Sequence, residues 1–217
     1  MNVSIIIIVI LIIILISILY IYYYSNKNNL NSYLDLSKPQ PSIPSSNLVG
    51  ETSNTYSYSF WLFINIPDPT PTTGANKYFI TRPTEISIGF GKDLYVKCLD
   101  VNTASRSNIV VYNDVPSQKW IHVIINRSPR LLECYINGKL NMSINTDVST
   151  PISKNSIILD IANAYISKFQ RWENPITPAE ASNMYYNGNG YSVILPNINV
   201  VASVLENDVV QKQYSIF

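Results

Sequence analysis

Carboxylates are the residues that a glycoside hydrolase needs, two of them facing each other across a cleft. The six glutamates are Glu51, Glu85, Glu133, Glu173, Glu180 and Glu206. Glu180 follows Thr177 by three residues, the spacing of a helix capping box, and this explains it structurally. Glu133 lies beside Tyr135 in a strand-like segment and is typical of a solvated sheet face. We therefore predict that the protein is not an enzyme.

Residues for nucleophilic catalysis are equally scarce. His122 is the only histidine, and it lies in an alternating apolar segment where a structural role is expected. Cys98 and Cys134 both lie in strand-like segments, where we expect buried thiols. A disulfide between the two cysteines stays open, because it depends on whether their strands are neighbours.

Metal and phosphate sites are not favoured either. One histidine and two distant cysteines exclude a zinc finger and a centre with several histidines. The loop acids that calcium would need are scattered, at Asp68, Asp93, Asp114 and Asp147. The segment 89–91 is too short for a phosphate-binding loop and indicates a turn. The prediction is a protein without a cofactor, with calcium as the alternative.

The composition bounds the remaining classes of function. A chain of 217 residues allows one ordinary domain with additional segments. With 15 Lys and Arg against 14 Asp and Glu, the net charge is +1, so no electrostatic case exists for nucleic acid as a partner. Charged residues make up 13%, about half of the usual ~25%. Surfaces of low charge associate readily, which favours a partner protein.

Residues 5–24 predict a transmembrane helix, within an anchor segment of residues 1–24. They carry no charge, and only Ser17 interrupts the run of Ile, Leu, Val and Tyr. Twenty residues at ~1.5 Å each span ~30 Å, the thickness of a hydrocarbon core. A cleaved signal peptide is the alternative, but a basic start and a small-residue cleavage site are missing. The first predicted partner is therefore a lipid bilayer, and Lys27 and Lys38 favour a cytosolic C-terminal domain.

Residues 25–54 predict a stalk between the anchor and the folded domain. They are rich in Asn and Ser and contain Pro39, Pro41 and Pro44, a composition typical of an extended chain. Residues 41–44 also fit the P-x-x-P recognition pattern, which is the alternative interpretation.

Residues 55–190 predict an all-β domain. Apolar residues recur with period two, and turn signals separate at least eight short segments. Asn137-Gly138 between two apolar runs predicts a two-residue hairpin turn, which needs positive φ at both residues. Many short strands with tight turns predict an antiparallel two-sheet sandwich, or jelly roll.

One helix is predicted near the C-terminal end of this domain. Thr177, Pro178 and Glu180 form a capping box with proline at the first helical position, and Gly188 is a natural stop. Residues 191–217 form an apolar tail outside the sandwich, which could add a strand to this protein or to a neighbour.

Four motifs in order resemble the laminin G-like and concanavalin A-like lectin/glucanase family. They are residues 58–63 (YSFWLF), 118–125 (QKWIHVII), 131–138 (LLECYING) and 165–180 (YISKFQRWENPITPAE). They match the family's opening strand, its W-h-h-v-a strand, its l-Y-v-[ND]-G hairpin and its closing signature. The architecture and the Ile/Asn/Tyr-rich composition also resemble membrane proteins of nucleocytoplasmic large DNA viruses.

The resemblance implies a two-sheet jelly roll that binds glycans or proteins, sometimes through calcium, while some members are glucan hydrolases. No glutamate here begins the E-x-D-x-x-E strand of the hydrolase branch, and Ser167 stands where the family has an aspartate. Both departures argue against hydrolysis and calcium. The motif tryptophans Trp61, Trp120 and Trp172 are expected in the core rather than in a binding site.

Two functions remain open. The first is a non-enzymatic, membrane-anchored, lectin-like module, a viral membrane or virion component that contacts glycans or proteins. The second is a structural linker between a membrane and a capsid or coat, without glycan binding. The glycosylation sequons at Asn126 and Asn141 matter only if the domain is lumenal. No ligand-binding residue can be assigned from the sequence.

Overall fold

The computed structural model describes residues 3–65, 77–83, 85–99, 106–145, 154–189, 201–206 and 209–215. Helix α1 spans Val3–Asn26 and helix α2 spans Pro178–Tyr186. The strands are β1 Asn29–Asp35, β2 Tyr56–Ile64, β3 Tyr78–Arg82, β4 Ile86–Phe90, β5 Leu94–Leu99, β6 Arg106–Tyr112, β7 Trp120–Ser128, β8 Leu131–Ile136, β9 Lys139–Asn145, β10 Ile158–Leu159, β11 Ala164–Trp172, β12 Val201–Glu206 and β13 Val209–Ser215.

The strands form two antiparallel sheets. The six-stranded sheet has the order β1-β11-β2-β7-β8-β9, and the five-stranded sheet has the order β10-β3-β4-β5-β6. β12 and β13 pair only with each other among the described residues. Two antiparallel sheets with a short C-terminal helix confirm the predicted all-β sandwich, whereas the jelly-roll connectivity stays a prediction.

The core lies between the sheets and follows from alternation along the strands. In β2, Tyr56, Tyr58, Phe60, Leu62 and Ile64 face inward and are buried. In β7, Ile121, Val123 and Ile125 face the same core, while the residues between them are buried on the other face. Burying one such side chain contributes about 1.5–3 kcal/mol, so these inward-facing residues supply much of the stability of the sandwich.

The two cysteines are buried thiols in opposite sheets, Cys98 on β5 and Cys134 on β8. Burial raises the pKa of the Cys134 thiol to about 12. A thiolate is therefore strongly disfavoured there, and the predicted structural role of this cysteine is consistent with its surroundings.

Much of the segment predicted as a stalk is folded into the sandwich. β1 pairs with β11 along the edge of the six-stranded sheet, and Ile43 forms a β-bridge with Ile157. Leu34, Leu36 and Leu48 are buried in the core. The polar residues of β1 suggested a stalk, and the fold tolerates them because an edge strand is partly exposed to solvent.

A buried charge cluster fastens the end of this segment to the core. Glu85 forms ion pairs with Arg82 and with Arg171, the latter at 3.6 Å. Arg171 also donates to the carbonyls of Val49 and Gly50. Burial raises the pKa of the Glu85 carboxyl, although both guanidiniums oppose this rise. The chain before β2 is thus held by side chains from two different strands and a turn.

Helix α1 is the one long helix in the described part of the chain. Side chains are described for its residues 9–20, and each of them is exposed. Within the residues that the structure describes, no helix is both long enough and apolar enough to count as a membrane span.

The predicted hairpin turn between β8 and β9 is confirmed. Asn137 and Gly138 have φ values of +51° and +76°, as the tight turn requires. Helix α2 packs directly on this turn, because a Cβ at position 138 would lie 2.9 Å from Cβ of Tyr185 and 3.1 Å from Cα of Ser182.

Gly138→Ala is expected to destabilise the protein by about 2 kcal/mol, through a strained backbone and displacement of α2. Gly91→Ala is the matched control, because a Cβ there meets no atom within 4 Å. Thermal melting of the full chain in detergent micelles would compare the two. Equal melting temperatures would show that the turn tolerates a side chain and that α2 can shift without loss.

Candidate functional site

Four aromatic side chains form a line across the outer face of the six-stranded sheet. They are Tyr33 on β1, Tyr165 on β11, Phe63 on β2 and Trp120 on β7, hereafter the aromatic stripe. Successive ring centroids lie 5.9, 6.0 and 5.4 Å apart. The stripe thus crosses four neighbouring strands without a break.

The register of the sheet creates the stripe. Phe63 lies directly opposite Tyr165 on one side and Trp120 on the other. Residues opposite each other on one face of an antiparallel sheet bring their side chains into contact. Tyr33 lies opposite Ser167, two positions along the strand from Asp35, which is the direct partner of Tyr165. Its ring stacks diagonally on Tyr165 with an interplanar angle of 15°.

The stripe is accessible from outside the protein. Phe63, Trp120 and Tyr165 are half-buried, and Tyr33 is 39% exposed. Contiguous accessible apolar patches are often contact sites for a ligand, a protein or a membrane, which makes the stripe a candidate site. The prediction that Trp120 belongs to the core is wrong, since its ring lies on the outer face.

The next row of the same face is covered. The ring of Tyr185, from α2, stacks on Trp61 at 5.6 Å with an interplanar angle of 19°. His122 lies against the same indole ring at 5.0 Å. Trp61 is therefore buried, as predicted. Helix α2 covers this row of the sheet face and leaves the neighbouring row, the aromatic stripe, accessible.

Helix α2 is fixed at its start by two local devices. The predicted capping box is present, with Glu180 N donating to Thr177 Oγ1 at 3.3 Å and Thr177 N donating to Glu180 Oε2 at 2.8 Å. This backbone hydrogen bond lowers the pKa of Glu180. Buried Asn126 accepts from Ile176 N at 3.1 Å and donates to Ile176 O at 2.8 Å. The Asn126 sequon is thus closed within the fold, whereas Asn141 lies exposed on β9.

The chain after α2 is held beside the stripe by a bulge in β11. The register shifts between Ser167 and Gln170, and Lys168 has φ +48°. Lys168 Nζ donates to the carbonyls of Asn187 at 3.2 Å and Gly188 at 2.7 Å. Ser167, which replaces the family's aspartate, is buried and donates to the carbonyl of Asn189. Both residues therefore have a structural partner at this place.

Ser59 and His122 form a buried pair beneath α2 that the sequence did not predict. Ser59 Oγ lies 3.0 Å from His122 Nε2, and in the described part of the chain His122 Nδ1 has no hydrogen-bond partner. Burial, assisted by the nearby Lys168 charge, lowers the pKa of His122 to about 4. An imidazole of such low basicity, without a carboxylate to orient it, is a poor base for serine catalysis.

The pH dependence of stability tests the state of His122. The folded protein keeps it neutral, while the unfolded chain takes up a proton below the ordinary pKa of 6.5. The unfolded state therefore binds more protons between pH 6.5 and 4, and stability falls by about 3 kcal/mol as the pH falls through this window.

His122→Gln should remove this loss while keeping a polar partner for Ser59. Denaturant melts of the full chain in micelles at pH 7, 5.5 and 4 would give the difference between the two proteins. A wild-type protein that loses no more stability on acidification than the variant would show that His122 is protonated in the fold.

The other candidates for chemistry are dispersed. Asp114 N donates to Asp93 Oδ1 at 2.9 Å, and Lys92 pairs with Asp114 at 3.1 Å, as in an ordinary surface loop. Among the residues described, no group of three His, Cys, Asp or Glu side chains could hold a metal ion. Asp68 and Asp147, and the side chain of Glu206, lie outside the described residues.

Comparisons with known proteins identify the class of fold. No family model matches the chain, and no curated protein matches it. Solved receptor-binding domains of botulinum neurotoxins are similar in structure. The serotype D domain has a TM-score of 0.56 at 17% identity, over 73% of this chain and 44% of the toxin chain. The C/D mosaic domain has a TM-score of 0.51 at 16% identity, over 63% and 37%.

A structure of type C toxin, with a TM-score of 0.50 at 21% identity, covers 62% of this chain and 36% of its own. The way that toxin enters cells is described as dependent upon interaction with two ganglioside molecules. The chain thus spans less than half of the length of these neighbours. At such identities the likeness concerns the fold alone, an antiparallel β-sandwich.

Proposed function

We propose that the protein is a non-enzymatic, lectin-like module that binds a glycan on the aromatic stripe and is attached to a membrane by α1. The observation that carries the proposal is the continuous row of four accessible rings on one sheet face. Binding sites for small polar ligands combine such apolar surfaces with a few polar groups. Sugar rings present C–H groups on their faces, and these pack on aromatic rings.

The size of the stripe sets the expected affinity. If each ring contributes about 1 kcal/mol, as aromatic contacts do, four rings contribute about 4 kcal/mol. This corresponds to a Kd of about 1 mM. The stripe therefore suits weak, repeated or locally concentrated contacts rather than tight capture of a single soluble sugar.

The membrane attachment is proposed from α1. Its described apolar side chains, at 49–60% exposure, surround the helix without a polar face. Ser17 satisfies its hydroxyl within the helix by donating to Ile13 O at 2.8 Å. A helix with apolar residues all round is typical of a bilayer environment. A single-pass location, in a cellular or virion membrane, is part of the proposal.

A structural role without glycan binding is the second candidate. The low content of charged residues and the exposed rings would equally suit a contact with a capsid, a coat or another copy of the chain. Copurification of the full chain with one abundant particle protein, unaffected by added oligosaccharides, would favour this candidate.

The decisive test of the proposed function is Phe63→Ala combined with Trp120→Ala. The full chain in detergent micelles would be applied to a glycan array, and the variant is expected to lose at least about tenfold in binding to the glycans that the wild type retains. Tyr186→Ala is the matched control, because this ring is 80% exposed on α2. Equal binding by the double variant and the wild type would place any glycan elsewhere.

We also propose that the protein has no glycoside hydrolase activity. Glu133 accepts from Asn126 Nδ2 at 3.4 Å, and Glu173 packs against Gly50, so each has a structural contact. Incubation of the pure protein with β-glucans should release no reducing sugar. Release that disappears on mutation of Glu133 or Glu173 would overturn this part of the proposal.

A further inference from the structure

We propose that the ligand of the aromatic stripe is the sugar headgroup of a glycolipid in the same bilayer that holds α1. This inference rests on the proposed function and adds the source of the ligand. It commits the stripe to membrane-bound glycans on the protein's own membrane, rather than to soluble glycans or to glycans on an opposing surface.

The short connection between the helix and the sheet is the first observation. α1 ends at Asn26 and β1 begins at Asn29, so only Lys27 and Asn28 lie between them. β1 is hydrogen-bonded into the sheet edge along its length. The sandwich therefore has no long stalk, and it stays close to whatever surface contains α1.

The same connection limits how far the stripe can lie from the bilayer. Tyr33 follows Asn26 by seven residues, which extend no further than about 25 Å. The other three rings lie on the next three strands, each about 4.8 Å further across the sheet. All four rings are therefore within about 40 Å of the end of α1, which keeps the stripe near the surface of the membrane that contains α1.

The expected affinity makes this source favourable. A site with a millimolar Kd is occupied only where the local ligand concentration is millimolar. Two molecules held in one bilayer meet at effective concentrations that reach this range, whereas a dilute soluble oligosaccharide does not. The stripe would therefore bind few free sugars, but it would be occupied by glycolipid headgroups in its own membrane.

The test uses the full chain reconstituted into phosphatidylcholine vesicles. In the first arm, the vesicles that contain the protein also contain gangliosides with a photoactivatable group on the sugar. In the second arm, these gangliosides are in other vesicles, which are mixed with the protein vesicles at the same total lipid concentration. Cross-link yield is measured by mass spectrometry. The yield is expected to be at least about tenfold higher when protein and gangliosides share a membrane.

Variants separate stripe contacts from collisions within the bilayer. Phe63→Ala with Trp120→Ala should lower the shared-membrane yield at least about fivefold, and Tyr186→Ala should not. Insertion of about 30 Gly and Ser residues between Lys27 and Asn28 should raise the yield with separate vesicles, because the sandwich can then reach further.

Three outcomes would overturn the inference. Equal yields in the two arms, with loss in the stripe variant, would leave glycan binding intact but refute the shared-membrane source. A shared-membrane yield that ignores the stripe substitutions would show random contact within the bilayer. A chain that does not float with the vesicles would remove the premise. The glycan array tests the proposed function independently of the vesicles. If the protein does not bind glycans, the chain in micelles will bind none on the array.

Discussion

Ile12→Asp combined with Ile13→Asp is expected to release the full chain from membranes. An aspartate at the centre of a membrane-spanning helix costs about 2.5–3.5 kcal/mol, and each lost isoleucine removes a further ~0.5 kcal/mol of favourable insertion. The total of about 7 kcal/mol is comparable to the whole insertion energy of the helix. The wild type should resist carbonate and high salt and yield only to detergent.

The matched control replaces two exposed isoleucines of the sandwich. Ile158 and Ile161 are 43% and 52% exposed, so Ile158→Asp with Ile161→Asp adds the same charges outside α1. This variant should remain in the membrane pellet. Release of the wild type by carbonate, or a mature protein that begins near Ser25, would show that α1 is not an anchor. The inference of a shared membrane would then be withdrawn as well.

Signals that act over a few residues predicted the local structure well. The capping box at Thr177 and the turn at Asn137-Gly138 each depend on neighbours along the chain, and the structure shows both. Alternation predicted the strands β2 and β7 for the same reason, but it did not show which face of each strand lies in the core. These features need no knowledge of which strands lie side by side.

Features that depend on distant pairing could not be predicted. β1 joins the sheet only because β11, more than 100 residues later in the chain, provides an edge for it. The stripe has the same origin, since Tyr33, Phe63, Trp120 and Tyr165 come from four strands whose order is not written in any one segment. The sequence shows that Phe63 lies on the same face of its strand as Trp61, and Trp120 on the same face as His122. It does not show that these two strands are neighbours in the sheet.

The positions of the tryptophans within the family-like motifs do not determine which of them are buried in the core. A motif tryptophan on a strand was assigned to the core, because large apolar side chains are usually buried. A sheet in a sandwich has two faces, and Trp61 is buried under α2 on the outer one while Trp120, on the same face, is left half-exposed. The difference lies in the length of α2, which ends at Tyr186 and covers only part of the face.

Glu85→Ala is expected to cause the largest loss of stability among single substitutions in the sandwich. Its carboxylate pairs with Arg82 and Arg171 and accepts from the Tyr58 hydroxyl at 2.9 Å. Removing one member of a buried ion pair costs about 3–5 kcal/mol, because the remaining charges stay desolvated. For a chain of this size, such a loss lowers the Tm by about 10–15 °C.

Two further variants separate charge from hydrogen bonding. Glu85→Gln keeps an acceptor for Tyr58 but removes the negative charge, so its loss should lie close to that of Glu85→Ala if the ion pairs dominate. Glu133→Ala removes a half-buried carboxylate from the outer face and should cost less than about 1 kcal/mol. The measurement is thermal melting of the three variants and the wild type in micelles at pH 7.

The position of the Glu85 cluster extends the consequence of this substitution beyond stability. Arg171 holds the carbonyls of Val49 and Gly50, and Arg82 Nη2 donates to Glu51 O at 2.7 Å. Loss of Glu85 should therefore expose the chain near Gly50 to proteolysis before the sandwich unfolds. A Glu85→Ala protein that melts with the wild type and resists cleavage there would show that the two arginines, with their carbonyl partners, are stable without this carboxylate.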